Sequence, residues 1–202
     1  MRIPDQTIGR LFLYLRALFC LSEQGIETVS SDTLGEACQV KPAAVRKDLS
    51  YFGGFGKRGV GYNVAELIEE IRSILNLDVV REAALVGVGN IGRALLAYRG
   101  FEPEGFEIGL AFDSNPEKIG KKLDRVQIED VGNMEERIQE EGIKLGIIAV
   151  PVEEAPDIAH RLADSGVKAI LSFAPCPLNM PKDVKVTCMD LATEMARLIY
   201  YL

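Results

Sequence analysis

Between Asp5 and Gln24 apolar side chains return at helical spacing: Ile8, Leu11, Phe12, Leu15, Leu18, Phe19 and Leu21 share one wide face. The pattern predicts a helix over 5–24, closed by Gly25, with Arg10 and Arg16 left for other work. A short second helix is expected from about Thr33 to Cys38, where Thr33 and Glu36 have the spacing of a capping box. Pro42 suits the first turn of a third helix reaching Phe52, because an N–H there has no intrahelical partner anyway. Val45, Leu49 and Phe52 recur at i, i+4 and i+7 and should face a core, which leaves Arg46, Lys47, Ser50 and Tyr51 on the outer side. Val64 to about Leu75, behind a capping Asn63, completes this helical part.

Past residue 80 the pattern changes. Short continuous apolar runs, at Ala83–Val86, Ile108–Phe112, Leu145–Val150 and Val167–Pro175, with a weaker one at Val184–Met189, alternate with helical segments. Those segments run from the Gly92 region to about Tyr98, from Met134 to Glu141, and from Glu153 to Ser165, the last interrupted early by Pro156. Such alternation predicts a mostly parallel sheet covered on both faces. The fold class expected is therefore an α/β Rossmann-like domain preceded by a small helical domain of winged-helix type. The last stretch, Leu191 to Leu202, is apolar around much of its circumference, as a helix would be that packs on its own domain or on a second subunit. The expected divisions are 1–78, 79–190 and 191–202.

Charge sharpens this division. The chain carries a net charge of −7, which looks wrong for a nucleic-acid binder. Residues 1–62, however, hold eight Lys/Arg against six Asp/Glu, whereas the remainder holds fifteen against twenty-four. Two domains with different partners produce such a step. The four cysteines form no Cys-x-x-Cys pair and there is a single histidine, so zinc is not expected and free buried thiols are. No apolar run approaches the length of a membrane span and no secretory pattern opens the chain, which points to the cytoplasm.

The candidate chemistry lies in two places. Gly87-Val88-Gly89-Asn90-Ile91-Gly92 follows an apolar run and opens a helical segment, the order that a dinucleotide pyrophosphate site requires. Asp113, 21 residues past Gly92 at the end of the next run, is placed to accept hydrogen bonds from ribose hydroxyls and to repel a 2′-phosphate, favouring NAD(H). Lys118, Lys121 and Lys122 are read as a solvated helix surface. Val150-Pro151 and Phe173-Ala174-Pro175 end later runs and are assigned to the far half of the dinucleotide. His160 is read as a surface residue, and with no chain left over for a substrate domain the site is expected to bind without catalysing. In the first domain, Arg46, Lys47, Ser50 and Tyr51 either form an ordinary solvated face or meet phosphates and base edges. Five glycines in Gly53–Tyr62 surround Lys57 and Arg58. A tight two-stranded ribbon there would present Lys57, Arg58 and Gly59 as a wing to the minor groove of duplex DNA. The loop lacks a Walker Gly-Lys-Ser/Thr. A nucleotide- or CoA-binding enzyme with an accessory helical domain is the alternative, although it has no need of such a wing.

Taken together, Arg46-Lys47-Asp48-Leu49-Ser50-Tyr51-Phe52-Gly53, Phe55-Gly56-Lys57-Arg58-Gly59-Val60-Gly61-Tyr62, Gly87-Val88-Gly89-Asn90-Ile91-Gly92 and Phe173-Ala174-Pro175 closely resemble the Rex family of redox-sensing transcriptional repressors. The resemblance is collinear and covers essentially the whole chain. It implies a cytoplasmic homodimer that binds palindromic operator DNA, is released by NADH and is contested by NAD⁺, with no metal and no catalysis. It also implies that the C-terminal helix is exchanged between subunits, and that Arg16, Tyr98 and Asp190 form a redox-responsive polar network. Ser172 stands where the family usually has asparagine.

Overall fold

The computed structural model describes residues 3–56 and 60–200. The chain divides between Val79 and Val80 into two compact units. The first begins with α1 (Asp5–Glu23), followed by β1 (Thr28–Val29), α2 (Ser31–Ala37), α3 (Pro42–Ser50), β2 (Tyr62–Asn63) and α4 (Val64–Ile74). Helix α1 buries Leu11, Tyr14, Leu15 and Leu18 against a core that α4 supplies with Val64, Leu67, Ile68 and Ile71. Pro42 stands in the first turn of α3 and Asn63 caps α4 by accepting from the Glu66 N–H at 3.0 Å, both as expected.

Three local expectations change in this unit. The cap of α2 is Ser30, whose hydroxyl accepts the Thr33 N–H at 3.0 Å, so the helix starts earlier than the Thr33–Glu36 spacing suggests. Helix α3 stops at Ser50, leaving Phe52 half-buried in the turn behind it. Among the described residues the glycine-rich loop forms no ladder of its own. Its outgoing strand β2 pairs antiparallel with β1, Val29 opposite Tyr62, while the loop closes through a close approach of Gly56 to Gly61. A Cβ on Gly56 would lie 2.5 Å from the Gly61 carbonyl oxygen.

One buried charge holds this unit in register. Asp48 on α3 is 1% exposed and accepts from four donors on α1: Thr7 Oγ1 (3.0 Å), Arg10 Nε (2.6 Å), Arg10 Nη2 (2.8 Å) and Tyr14 Oη (2.7 Å). These bonds outweigh the cost of burial and hold the carboxyl below the usual carboxylate range, while the same pairing raises the Arg10 value and burial, aided by the bond to Asp48, raises that of Tyr14. Arg10 thus anchors the fold.

The second unit is a seven-stranded sheet in the order β5-β6-β4-β3-β7-β8-β9. Its strands are β3 (Arg81–Val86), β4 (Phe106–Asp113), β5 (Lys122–Leu123), β6 (Val126–Asp130), β7 (Leu145–Ile148), β8 (Ala169–Ser172) and β9 (Lys185–Cys188). All neighbours run parallel except β5 and β6. Alternation along β3 sends Ala84 and Val86 to one face and Ala83 and Leu85 to the other. Helices α6 (Met134–Glu141) and α7 (Ala155–Asp164) cover the first face, with Met134, Ile138, Ile158, Ala159 and Leu162 in its core. On the second face α5 (Asn90–Leu96) is followed by an apolar hollow of about 180 Å³ floored by Ala83, Ile108, Ile147 and Leu171.

Here too the structure corrects particular expectations. The lysines at 118, 121 and 122 lie on no helix: a turn leads into the β5–β6 hairpin, which the apolar pattern did not reveal. Pro156 does not interrupt α7 but sits in its first turn. The cysteines are free but not buried, since Cys20 and Cys188 are exposed and Cys38 and Cys176 half-buried. The final helix, α8 (Leu191–Ile199), buries none of its residues, and Met195, Leu198 and Ile199 are each more than two-thirds exposed.

The Asp48 cluster yields a measurable consequence. Replacing Asp48 by Asn leaves the half-buried Arg10 without a counter-charge and lowers the unfolding free energy in urea by about 2–4 kcal/mol. Because the folded carboxyl titrates below its unfolded value of about 4, its contribution is present above that pH and fades as pH falls through the folded value. The Asn variant therefore loses less stability than the wild type between about pH 5 and pH 2.

Candidate nucleotide and nucleic-acid sites

The outward face of α3 carries the cations expected of it. Arg46 and Lys47 are exposed, and Tyr51 is half-buried just past the helix end. The Arg46 guanidinium donates from Nη1 to Ser31 Oγ at 2.7 Å, tying it to the first residue of α2. The Ser50 hydroxyl donates to the carbonyl of Lys47 at 2.7 Å, so its lone pairs face outward while its proton is committed. Ser30, Ser31, Asp32, Arg46, Ser50 and the glycine loop together line a concavity of about 580 Å³. Ser30 and Ser31 were not singled out from the sequence; the Ser-Ser start of a helix was the available signal. Lys57, Arg58 and Gly59 lie outside the described residues.

In the second unit the glycine fingerprint occupies the switch point of the sheet. The chain leaves β3 toward β4 on one side, and β7 lies on the other, which opens a crevice beyond the strand ends. Gly87 adopts φ +95°, its N–H bonded to the Phe112 carbonyl at 2.8 Å, and a Cβ there would come within 2.5 Å of the Ala149 carbonyl oxygen. A Cβ on Gly92 would collide with the Gly87 carbonyl, so α5 can pack this closely only on glycine. Gly89 differs: it caps α5, and a Cβ built on it meets nothing within 4 Å. That open side is the approach that a pyrophosphate would take toward the unpaired N–H groups of the first helical turn. Asn90 and Ile91 are exposed beside it, while Val88 is fully buried.

Asp113 ends β4 at 7% exposure. Its Oδ2 accepts the Val88 N–H at 2.8 Å and the Lys118 ammonium at 2.8 Å, and its Oδ1 accepts the Asn115 N–H at 2.8 Å. Those bonds prevail over desolvation and depress the carboxyl below its ordinary value. A cleft of about 640 Å³ brings together Gly87, Gly89, Asp113, Val150 and Pro151. It adds Lys118, Asp157 and Arg161, none of which the sequence reading assigned to the site. Arg161 is itself held by Glu135 Oε2 at 2.9 Å and the Val131 carbonyl at 2.8 Å.

Phe173, Ala174 and Pro175 lie outside the lining of that cleft, at the adjacent strand end, where the Phe173 N–H bonds to the Ile148 carbonyl at 2.8 Å. Ser172 is completely buried, and its Oγ accepts the Ala174 N–H at 3.2 Å, so the short hydroxyl shapes the turn. Of the three residues assigned to a polar network, Arg16 is on the exposed side of α1 and Tyr98 is 57% exposed with its ring edge-on to Phe101 at 5.0 Å. Asp190 caps α8, accepting from the Thr193 N–H at 3.1 Å and the Thr193 hydroxyl at 2.6 Å. His160 is exposed, as expected. Among the described residues no group of three or more His, Cys, Asp or Glu is arranged to hold a metal, and no helix is long and apolar enough to cross a membrane.

Comparison with known proteins finds likenesses in both units. A family model described as "Putative DNA-binding protein N-terminus" matches residues 2–50, and one described as "CoA binding domain" matches residues 80–176. The redox-sensing transcriptional repressor Rex of Carboxydothermus hydrogenoformans is 46% identical over 199 residues, covering 98% of this chain and 96% of the relative. The protein of the same name from Lactobacillus gasseri is 44% identical over 202 residues, covering 100% of this chain and 94% of the relative. Among solved structures, RSP in complex with β-NAD⁺ and operator DNA superposes with a TM-score of 0.95 at 36% identity, covering all of this chain and 93% of that one. RSP in complex with β-NADH gives 0.90 at 34% identity, covering all of this chain and 94% of that one. With a helical first unit, a switch-point crevice in the second and this likeness along its full length, the chain belongs to the Rex family of redox-sensing transcriptional repressors.

Proposed function

We propose that this chain is a cytoplasmic repressor that holds palindromic operator DNA as a homodimer and lets go when NADH binds. The observation that carries the reading is the presence on one chain of a cationic α3 face and a glycine-lined crevice, in a fold shared end to end with RSP bound to both NAD⁺ and operator DNA. Arg46, Lys47, Ser50 and Tyr51 meet the major groove, and Lys57, Arg58 and Gly59 meet the minor groove beside it. Gly87 to Gly92 receive the pyrophosphate, Asp113 the adenosine ribose, and Val150, Pro151, Phe173, Ala174 and Pro175 the nicotinamide half. Apolar side chains there disfavour the cationic oxidised ring relative to the neutral reduced one. Helix α8 docks on the partner subunit by exchange, and Arg16, Tyr98 and Asp190 report the ligand state between units. The dinucleotide supplies only its redox state, with no bond made or broken on the protein.

The match of residues 80–176 to a CoA-binding model supports a second reading, a CoA module. Coenzyme A carries a phosphate on the 3′ position of the same ribose, which the charged Asp113 opposes. Titrating NADH in the presence and absence of operator separates the two readings. NADH affinity falls with operator by the factor by which operator affinity falls with NADH. Equal NADH affinities in the two titrations would refute the coupling.

Three substitutions test the site assignments. Gly89→Val places its side chain in the open approach to α5 without disturbing packing, so the melting temperature and operator binding persist. NADH affinity drops by roughly tenfold or more, measured by fluorescence titration, and release by NADH is lost in the same proportion. Lys47→Ala weakens operator binding about tenfold, relaxes base preference in the half-site and reduces the salt slope by about one. Arg58→Ala loses preference for A·T-rich flanks. Gel-shift titrations at several salt concentrations, on operators with altered half-sites and flanks, measure these effects.

A further inference from the structure

The cation nearest the ribose-binding aspartate is held in the site itself. Lys118 Nζ lies 2.8 Å from Asp113 Oδ2, and both residues line the same cleft. The loop fixes this geometry. Asn115 Oδ1 accepts the Glu117 N–H at 2.9 Å, its carbonyl accepts the Lys118 N–H at 2.9 Å, and Pro116 stiffens the turn between. The Lys118 side chain is 33% exposed and that of Asp113 only 8%, so the carboxylate is enclosed while the ammonium keeps an open side.

A carboxylate offers about four acceptor positions. Val88, Asn115 and Lys118 take three of them, leaving one, on Oδ1, for a ribose hydroxyl. A 2′-phosphate on that ribose would meet the Asp113 charge, but it would also come within reach of the partly exposed Lys118 ammonium. Building on the NAD(H) reading of this crevice, we propose that Lys118 is a latent clamp for a 2′-phosphate, and that selection of the unphosphorylated dinucleotide depends on Asp113 keeping Lys118 occupied. The sheet and glycine turn accommodate either dinucleotide. The choice between them lies in one ion pair five residues apart in sequence.

The experiment is a fluorescence titration of the full-length protein with NADH and with NADPH, with operator binding in the absence of nucleotide and thermal melting as measures of folding. The wild type prefers NADH. Asp113→Ser frees the ammonium and raises the NADPH-to-NADH affinity ratio roughly tenfold or more, the gain expected of a charge-assisted hydrogen bond to phosphate. Adding Lys118→Met to that variant returns the ratio to near its wild-type value. Lys118→Met alone, in a background that keeps Asp113, does not raise the ratio, because the ammonium is already occupied there. Asp113→Asn, which keeps an acceptor oxygen but no charge, gives the same Lys118-dependent rise and decides the matter if Asp113→Ser melts early. A ratio that is unchanged in the Asp113 variants, or is raised equally with and without Lys118, overturns the proposal. A wild type that binds neither dinucleotide overturns the NAD(H) reading on which the proposal rests.

Discussion

The placement of β3 between two parallel neighbours constrains everything the second unit can do. Parallel strands all end at the same edge, and a reversal of winding direction there leaves a gap that no crossover covers. The gap receives the turn after β3, which must pass within van der Waals distance of the Ala149 carbonyl and still admit α5. Only residues without a Cβ satisfy both demands, so Gly87 and Gly92 are consequences of topology before they are features of a binding site. Gly89 is not required by packing. Its freedom leaves a side of the turn open to a ligand.

Each unit also buries one aspartate and satisfies it in its own way. Asp48 is surrounded by side chains of α1, which makes α3 and α1 one rigid pair. Asp113 is held mainly by backbone N–H groups from neighbouring turns, with Lys118 as its charge partner. The first arrangement serves the fold. The second keeps an acceptor available at the edge of a cleft. A charge completely enclosed by fixed donors is insensitive to what passes outside, whereas a charge with one vacant position can take part in recognition.

Much of this was legible in the chain. The apolar runs located β3, β4, β7 and β8, and the helical spacings located α1, α3, α4 and α6, because burial enforces a period wherever an element has a single apolar face. The β5–β6 hairpin escaped because Lys122-Leu123 is a two-residue edge strand and its neighbour Val126–Asp130 is short with polar positions, where half-exposure relaxes the period. Lys118 was assigned to a solvated helix for the same reason: nothing in a charged segment reveals that an Asx turn folds it back onto a strand end. Asp48 shows the converse failure. Between two exposed cations and an apolar Leu49 it belongs by type to the surface, and only the tertiary placement of Arg10 and Tyr14 makes its burial tolerable. The position of Ser172, a departure from the family pattern, was visible in the sequence. Its task as a buried acceptor for the Ala174 N–H was not.

The bond from Arg46 to Ser31 divides labour on the face of α3. Arg46 has its rotamers already selected by the start of α2, whereas among the described residues the Lys47 ammonium makes no hydrogen bond. In an encounter with a duplex, a side chain fixed beforehand loses little entropy when the geometry matches and must break its tether when it does not. A free side chain adapts to either case at the cost of ordering itself. For the proposed DNA surface this means one cation that penalises misfit and another that tolerates it. Selectivity and grip then reside in neighbouring residues and can drift separately under mutation.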